Sequence, residues 1–363
     1  MNKAYLVLQN GSVYEGQSFG AKAETVGEVV FTTGMVGYHS TLTDKCYDGQ
    51  IVVQTFPIIG NYGIINENFE GDRAVPSAYV VKEYCYEPSN FRCEGKIEDY
   101  LVAQGVPGIC GIDTRALTKE IRENGVMNAK LVYTKEDAEA AVKDVNGDLK
   151  NFKITGAVKR TGAKENIVIS VSGDVVGRAA VIDFGAKKSV IKALTERGVE
   201  VVLCKPDVTA DEIIKSGAKA VLLTEGPGDP SENVQAVETV KAVLAHGITV
   251  YGLGLGHQIL ALANGFKTGK MKFGHRGASQ PVKDVATGRV YITTQNHGYE
   301  VLADSVDENV ATVRFVNIND NTCEGIEYKN SDAKSLQFEP DTFGGVLDTA
   351  WFYDEFAKKV GGN

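Results

Sequence analysis

The stretch Tyr251-Gly252-Leu253-Gly254-Leu255-Gly256-His257-Gln258 is the first place to look for chemistry. An apolar run enters it, alternate glycines turn it, and a helical pattern leaves it. This is the pattern of a nucleophile elbow, a tight strand-to-helix turn that lifts one side chain above a sheet. The residue at its tip is Gly254, which tolerates the turn but supplies no attacking atom. A dinucleotide reading of the same glycines fails. The GxGxxG spacing is absent, and no acid follows at a distance suited to a ribose.

Three further stretches hold polar groups. Thr224-Glu225-Gly226-Pro227-Gly228-Asp229-Pro230 turns sharply and leaves N–H groups for an anion, or serves as a plain strand-to-helix turn. Thr294-Gln295-Asn296-His297-Gly298-Tyr299 offers amide, imidazole and phenol groups for a pocket, and by itself reads as a satisfied turn. Leu336 to Phe338 reads as a strand end. After it, Glu339 and Asp341 are two residues apart and share a face if the strand continues. Such a pair suits acid–base work, or forms a solvated strand exit.

The elements that must position these groups are legible as a rhythm. Arg178–Asp183, Glu200–Cys204, Ala218–Leu223 and Ile248–Leu253 read as buried strands. Lys187–Arg197, Thr209–Ser216, Asn233–His246 and His257–Asn264 read as the helices between them. Alternating strands and helices imply a parallel sheet with right-handed crossovers, and its ligands sit at the strands' carboxyl ends. The loops after Leu223 and Leu253 are therefore the expected place for chemistry. The front of the chain differs. Tyr5–Leu8, Val26–Thr32 and Gln50–Phe56 read as strands, Lys96–Gln104 and Thr114–Glu123 as helices, the latter capped by Thr114. The fold class is therefore α/β: a mixed α/β domain over 1–150, a charged connection over 151–176, and an α/β domain with a mainly parallel sheet over 177–363.

The chain has 363 residues, 43% of them hydrophobic, enough for two cores. Its net charge of −9, without a long Lys/Arg run, argues against nucleic acid. Six scattered cysteines form no CxxC pair and no zinc spacing, so no metal ligand set is expected and a reducing cytoplasm fits. The start reaches the turn Asn10-Gly11 too early for a signal peptide, and no apolar run is long enough for a bilayer.

In this order the four stretches resemble the class I glutamine amidotransferases. The front domain narrows the likeness to the small subunit of carbamoyl-phosphate synthetase. Thr33-Gly34-Met35-Val36-Gly37-Tyr38, Ile59-Gly60-Asn61-Tyr62-Gly63 and Pro107-Gly108-Ile109-Cys110-Gly111-Ile112-Asp113-Thr114-Arg115 carry it there. Asp183-Phe184-Gly185-Ala186-Lys187, Gly274-His275-Arg276-Gly277-Ala278 and Gln295-Asn296-His297-Gly298-Tyr299 carry it in the second domain. The resemblance implies a cysteine nucleophile, a histidine base and an orienting glutamate that release ammonia from glutamine. The ammonia passes to a large subunit that uses ATP and Mg, and no cofactor belongs to this chain.

Here the resemblance breaks at its catalytic centre. The triad positions fall on Gly254, Glu339 and Asp341, and Glu225 stands where the family commonly has asparagine. Removing such a triad as a unit costs on the order of 10⁶ in rate. The resemblance also implies glutamine contacts at Cys46, Gly226, Gly228, Leu255, Gln258, Asn296, Gly298 and Tyr299, with the Gly228 and Leu255 N–H groups as oxyanion hole. The leading expectation is a pseudo-glutaminase: a cytoplasmic small subunit that supports ammonia-dependent carbamoyl phosphate synthesis by a large-subunit partner. The alternative is a non-catalytic regulatory or glutamine-sensing paralogue. The new acids Glu225, Glu339 and Asp341 read first as relaxed selection on a dead site; the sharper alternative is that they converge and attract a cation such as ammonium.

Overall fold

A computed structural model describes residues 2–144, 147–340 and 347–362. It divides into two compact units, Met1–Ile154 and Thr155–Asn363. Among the described residues no helix is long and apolar enough to cross a membrane.

The first unit is built on a closed barrel. Its strands are β1 (Lys3–Leu8), β2 (Val13–Gly20), β3 (Thr25–Thr32), β4 (Gln50–Gln54), β6 (Ala78–Val80), β8 (Pro107–Cys110) and β9 (Met127–Val132), joined in the order β1-β2-β8-β6-β4-β3-β9. A short ribbon, β5 (Ile58–Ile59) with β7 (Glu83–Tyr84), lies beside it. The helices are α1 (Tyr38–Thr43), α2 (Ile97–Gln104), α3 (Thr114–Asn124), α4 (Lys135–Lys143) and α5 (Asp148–Asn151). The cap of α3 is Asp113 and not Thr114. The shorter Asp113 carboxylate accepts from Ala116 N at 2.9 Å, and Thr114 is already helical.

The second unit starts inside the expected connection. Residues 155–176 carry α6 (Ala157–Thr161) and β10 (Ile167–Ile169), and β10 pairs antiparallel with β12 (Val199–Cys204). The parallel strands are β12, β11 (Gly177–Ile182), β13 (Ala220–Leu223), β14 (Thr249–Leu253) and β19 (Ala333–Leu336), in that spatial order. Every residue of β13 and β14 is buried, as a strand covered on both faces requires. Alternate residues serve opposite cores. Val221 and Leu223 pack with α8 (Ala210–Lys215), α9 (Val234–Ala245) and α10 (Leu255–Ala263). Ala220 and Leu222 pack with α7 (Lys188–Thr195) and α11 (Trp351–Gly361).

Beyond β19 the sheet continues antiparallel through β18 (Cys323–Tyr328), β16 (Val290–Val301), β15 (Thr268–Asp284) and β17 (Ala311–Asn317). The stretch Thr294–Tyr299, expected as a loop, is therefore the interior of β16. Its alternation of buried Gln295 and His297 with half-buried Asn296 and Gly298 is the period of a strand with one covered face.

Candidate functional site

The elbow exists. Gly254 joins β14 to α10 with φ 52° and ψ −111°, a backbone that disfavours any side chain. Gly254 N donates to Leu336 O at 2.9 Å, which ties the turn to the end of β19. Close packing surrounds it. A Cβ on Gly256 would lie 2.3 Å from Leu223 O, and one on Gly252 would lie 2.7 Å from Gly256 O. A Cβ on Gly254 itself would stand 3.0 Å from Glu225 Cβ. The nucleophile position and Glu225 therefore share one small space.

Glu225 lies at the carboxyl end of β13 and is 5% exposed. Its Oε1 accepts from Lys187 N at 2.8 Å, at the N-terminus of α7, where a carboxylate is favoured by the helix dipole. Burial pushes its carboxyl up to about 7. The Lys187 charge opposes that rise and Glu339 adds to it. Lys187 is itself 4% exposed, and its Nζ lies 2.5 Å from Glu339 Oε1. Glu339 is held in turn by its backbone N, which donates to Thr294 O at 3.0 Å across an isolated bridge to β16. Lys187, Glu225, Gly254 and Glu339 line one cavity of about 10 Å³, with Tyr353 and Phe338 in its wall. That is room for about one water molecule.

This corrects one expectation. Glu339 does not leave the strand into solvent, because an ion pair with the buried Lys187 ammonium holds it inside the second unit. Asp341, the third triad position, lies outside the described residues. Lys187 was read from sequence as the start of a helix and the end of the motif Asp183–Lys187, with no role at the site. Its position after β11, at the carboxyl end of the sheet like the other loops, was the signal that could have found it.

The positions expected to contact glutamine are distributed as follows. Gly226 and Gly228 lie in the loop after β13, and Gly228 has φ 88°. A Cβ on Gly226 would meet Phe184 Cβ at 2.8 Å, so this turn needs glycine to pass the neighbouring strand end. Leu255 is the first residue of α10, where backbone N–H groups have no intrahelical acceptor. Gln258 is 2% exposed, and its Nε2 donates to Tyr299 O and Gln337 Oε1, both at 2.8 Å. Asn296, Gly298 and Tyr299 lie on β16. Cys46 belongs to the first unit, buried in the turn Lys45–Tyr47 with its N bonded to Asp44 Oδ1 at 2.8 Å.

No other nucleophile–base pair replaces the triad among the described residues of the elbow. His257, on α10, is fully buried with Nδ1 2.8 Å from Ser335 Oγ. Burial alone lowers it to about 3, so it stays neutral. Cys204 ends β12, and burial pushes its thiol up to about 12, far from a thiolate at neutral pH.

The chain is similar to known proteins over nearly its whole length. Residues 6–131 match the family model described as carbamoyl-phosphate synthase small chain, CPSase domain. Residues 180–359 match the model for glutamine amidotransferase class-I. A carbamoyl phosphate synthase small chain from Fusobacterium nucleatum is 40% identical over 363 residues, 100% of this chain and 99% of that one. One from Clostridium perfringens is 43% identical over 356 residues, 98% of this chain and 99% of its own length.

Proposed function

The chain belongs to the carbamoyl phosphate synthase small chain family, and from that premise we propose that it is a small subunit whose glutaminase half-reaction is lost. In this reading it pairs with a large subunit as a heterodimer and supports carbamoyl phosphate synthesis from free ammonia. ATP and magnesium act in the partner. The product serves arginine or pyrimidine biosynthesis in the cytoplasm, a compartment that suits six cysteines in no disulfide.

The observation that carries the reading is the elbow. A strained turn built to present a nucleophile presents Gly254, and the neighbouring Glu339 is engaged by Lys187. A carboxylate paired with a buried lysine has no thiol to deprotonate and no imidazole to orient. Loss of the three roles together costs on the order of 10⁶ in rate.

The test mixes the purified chain with a carbamoyl phosphate synthase large chain encoded beside it. Carbamoyl phosphate is then measured from glutamine and, separately, from ammonium. Formation from ammonium alone supports the reading. Formation from glutamine overturns it. A chain that binds glutamine by calorimetry yet never associates with the large chain turns the assignment to a glutamine-sensing paralogue.

A further inference from the structure

The antiparallel half of the second unit contains a polar cluster that the elbow does not use. His275 on β15 and His297 on β16 are direct cross-strand partners, and Glu324 lies on β18 beside them. All three are buried, at 5%, 8% and 0% exposure. One donor atom from each lies within 4.8 Å of the others.

The hydrogen bonds leave this cluster one component short. Each imidazole directs its outer nitrogen at an atom that only accepts. His275 Nε2 lies 2.8 Å from Asp320 Oδ2, and His297 Nδ1 lies 2.8 Å from Tyr299 O. His297, kept neutral by burial, spends its single proton there, so its Nε2 carries a lone pair; burial alone would do the same to His275, but Asp320 and Glu324 push it up to about 9, so without an ion its Nδ1 holds a proton between the acceptors. Those inner nitrogens also face oxygen. His275 Nδ1 is 3.0 Å from Gln295 Oε1 and 3.2 Å from Glu324 Oε1, and His297 Nε2 is 2.9 Å from Gln295 Oε1.

In its present orientation the Gln295 amide does not relieve this, and turning it would break a bond. Its Nε2 donates to Thr293 Oγ1 at 3.1 Å, and that hydroxyl donates to Gln280 O. Asn317 Nδ2 is a donor nearby, but only at 3.4 Å from His275 Nδ1 and 3.5 Å from Glu324 Oε1. Thr322 Oγ1 reaches Glu324 Oε1 at 3.3 Å. Glu324 Oε2 is fully buried with no hydrogen-bond partner among the described residues. Lone pairs and acceptor oxygens thus point at one another in a dry interior, which is costly unless a positive charge sits among them.

The geometry points to a site for one divalent transition-metal cation of the zinc type, held by His275 Nδ1, His297 Nε2 and the Glu324 carboxylate. Two imidazoles and a carboxylate suit a borderline cation, and three protein ligands leave a further coordination position beside Gln295 Oε1. The outer bonds to Asp320 and Tyr299 are the partners that orient metal-bound imidazoles and fix their tautomers. The site joins β15, β16 and β18, and so holds the strand that carries Asn296, Gly298 and Tyr299. It is independent of whether the elbow hydrolyses glutamine. The ligands lie 22 and 27 residues apart in sequence, which is why short-range spacing rules do not find them.

The competing explanation is a proton on His275 Nδ1, giving an imidazolium held between Asp320 and Glu324. The experiment uses the full chain without a histidine tag. Metal content is measured after purification in chelator-treated buffer, and zinc is then titrated against a chromophoric competitor. The expected result is one tightly held zinc per chain, with a thermal midpoint that falls on chelation and recovers with zinc. Glu324→Gln, nearly the same shape, weakens zinc at least tenfold. Asp320→Asn, one shell out, weakens it about 10- to 100-fold. Zinc affinity unchanged in Glu324→Gln places the metal elsewhere, for example on cysteines, and overturns the proposal. So does a wild-type chain that takes up no zinc, in which nitrogen NMR would show His275 as the imidazolium.

Discussion

Lys187, Glu225 and Glu339 set the character of the elbow more than any loop geometry does. A buried ion pair gives little net stability, yet removing one partner strands the other charge at a cost of about 3–5 kcal/mol. Lys187→Met and Glu339→Gln are each expected to lower stability by about that much in urea unfolding, while Lys187→Met/Glu339→Leu together lose far less. Glu225 predicts a pH dependence. Its carboxyl is raised from 4.5 to about 7, so the native state prefers it protonated. Its contribution is complete below about pH 4.5 and fades as pH rises through 7; the shift corresponds to about 3 kcal/mol. In Glu225→Gln that component is removed, so the difference in stability between variant and wild type should grow from pH 5 to pH 8. A difference that stays constant over this range refutes the assignment.

At the scale of elements, the elbow depends on close approach between α10 and β13. Gly256→Ala would press a methyl group against Leu223 O and is expected to cost about 1–3 kcal/mol, read as a lowered unfolding midpoint. Four of the five parallel strands were legible from sequence; β19 (Ala333–Leu336) was not, since only Leu336–Phe338 read as a strand end. Strands such as Ala220–Leu223 are short, wholly apolar and bounded by turn signals, and Thr209 announced α8 through the capping box it forms with Glu212. The antiparallel half was not legible. In β16, buried positions are filled by Thr293, Gln295 and His297, so the strand alternates without being hydrophobic, and a scan for apolar residues passes over it. The candidate site divided along the same line. Gly254 could be placed from local pattern alone. The pairing of Glu339 with Lys187 spans 152 residues and needed the fold to bring β11 and β19 to the same edge of the chemistry.

At the scale of the whole molecule, likeness to carbamoyl phosphate synthase small chains extends over nearly all of the sequence, and the proposed loss of glutaminase turns on a few positions around Gly254. Gly254→Cys alone is therefore expected to release no glutamate above background when assayed with a large chain. The new side chain meets Glu225 Cβ at 3.0 Å, and no base is at hand. Restoring Asn at 225, His at 339 and Glu at 341 in the same chain is expected to return measurable hydrolysis. The interlocked cluster around Lys187 also bears on descent. Gly254→Cys taken singly overfills the turn, and Glu339→His taken singly removes the carboxylate paired with Lys187, so either first step lowers stability before any activity can be selected. If the proposed loss holds, ancestry of this kind runs one way: a lineage that exchanges its thiol for an internal ion pair keeps the scaffold under selection and leaves the reaction behind a fitness valley.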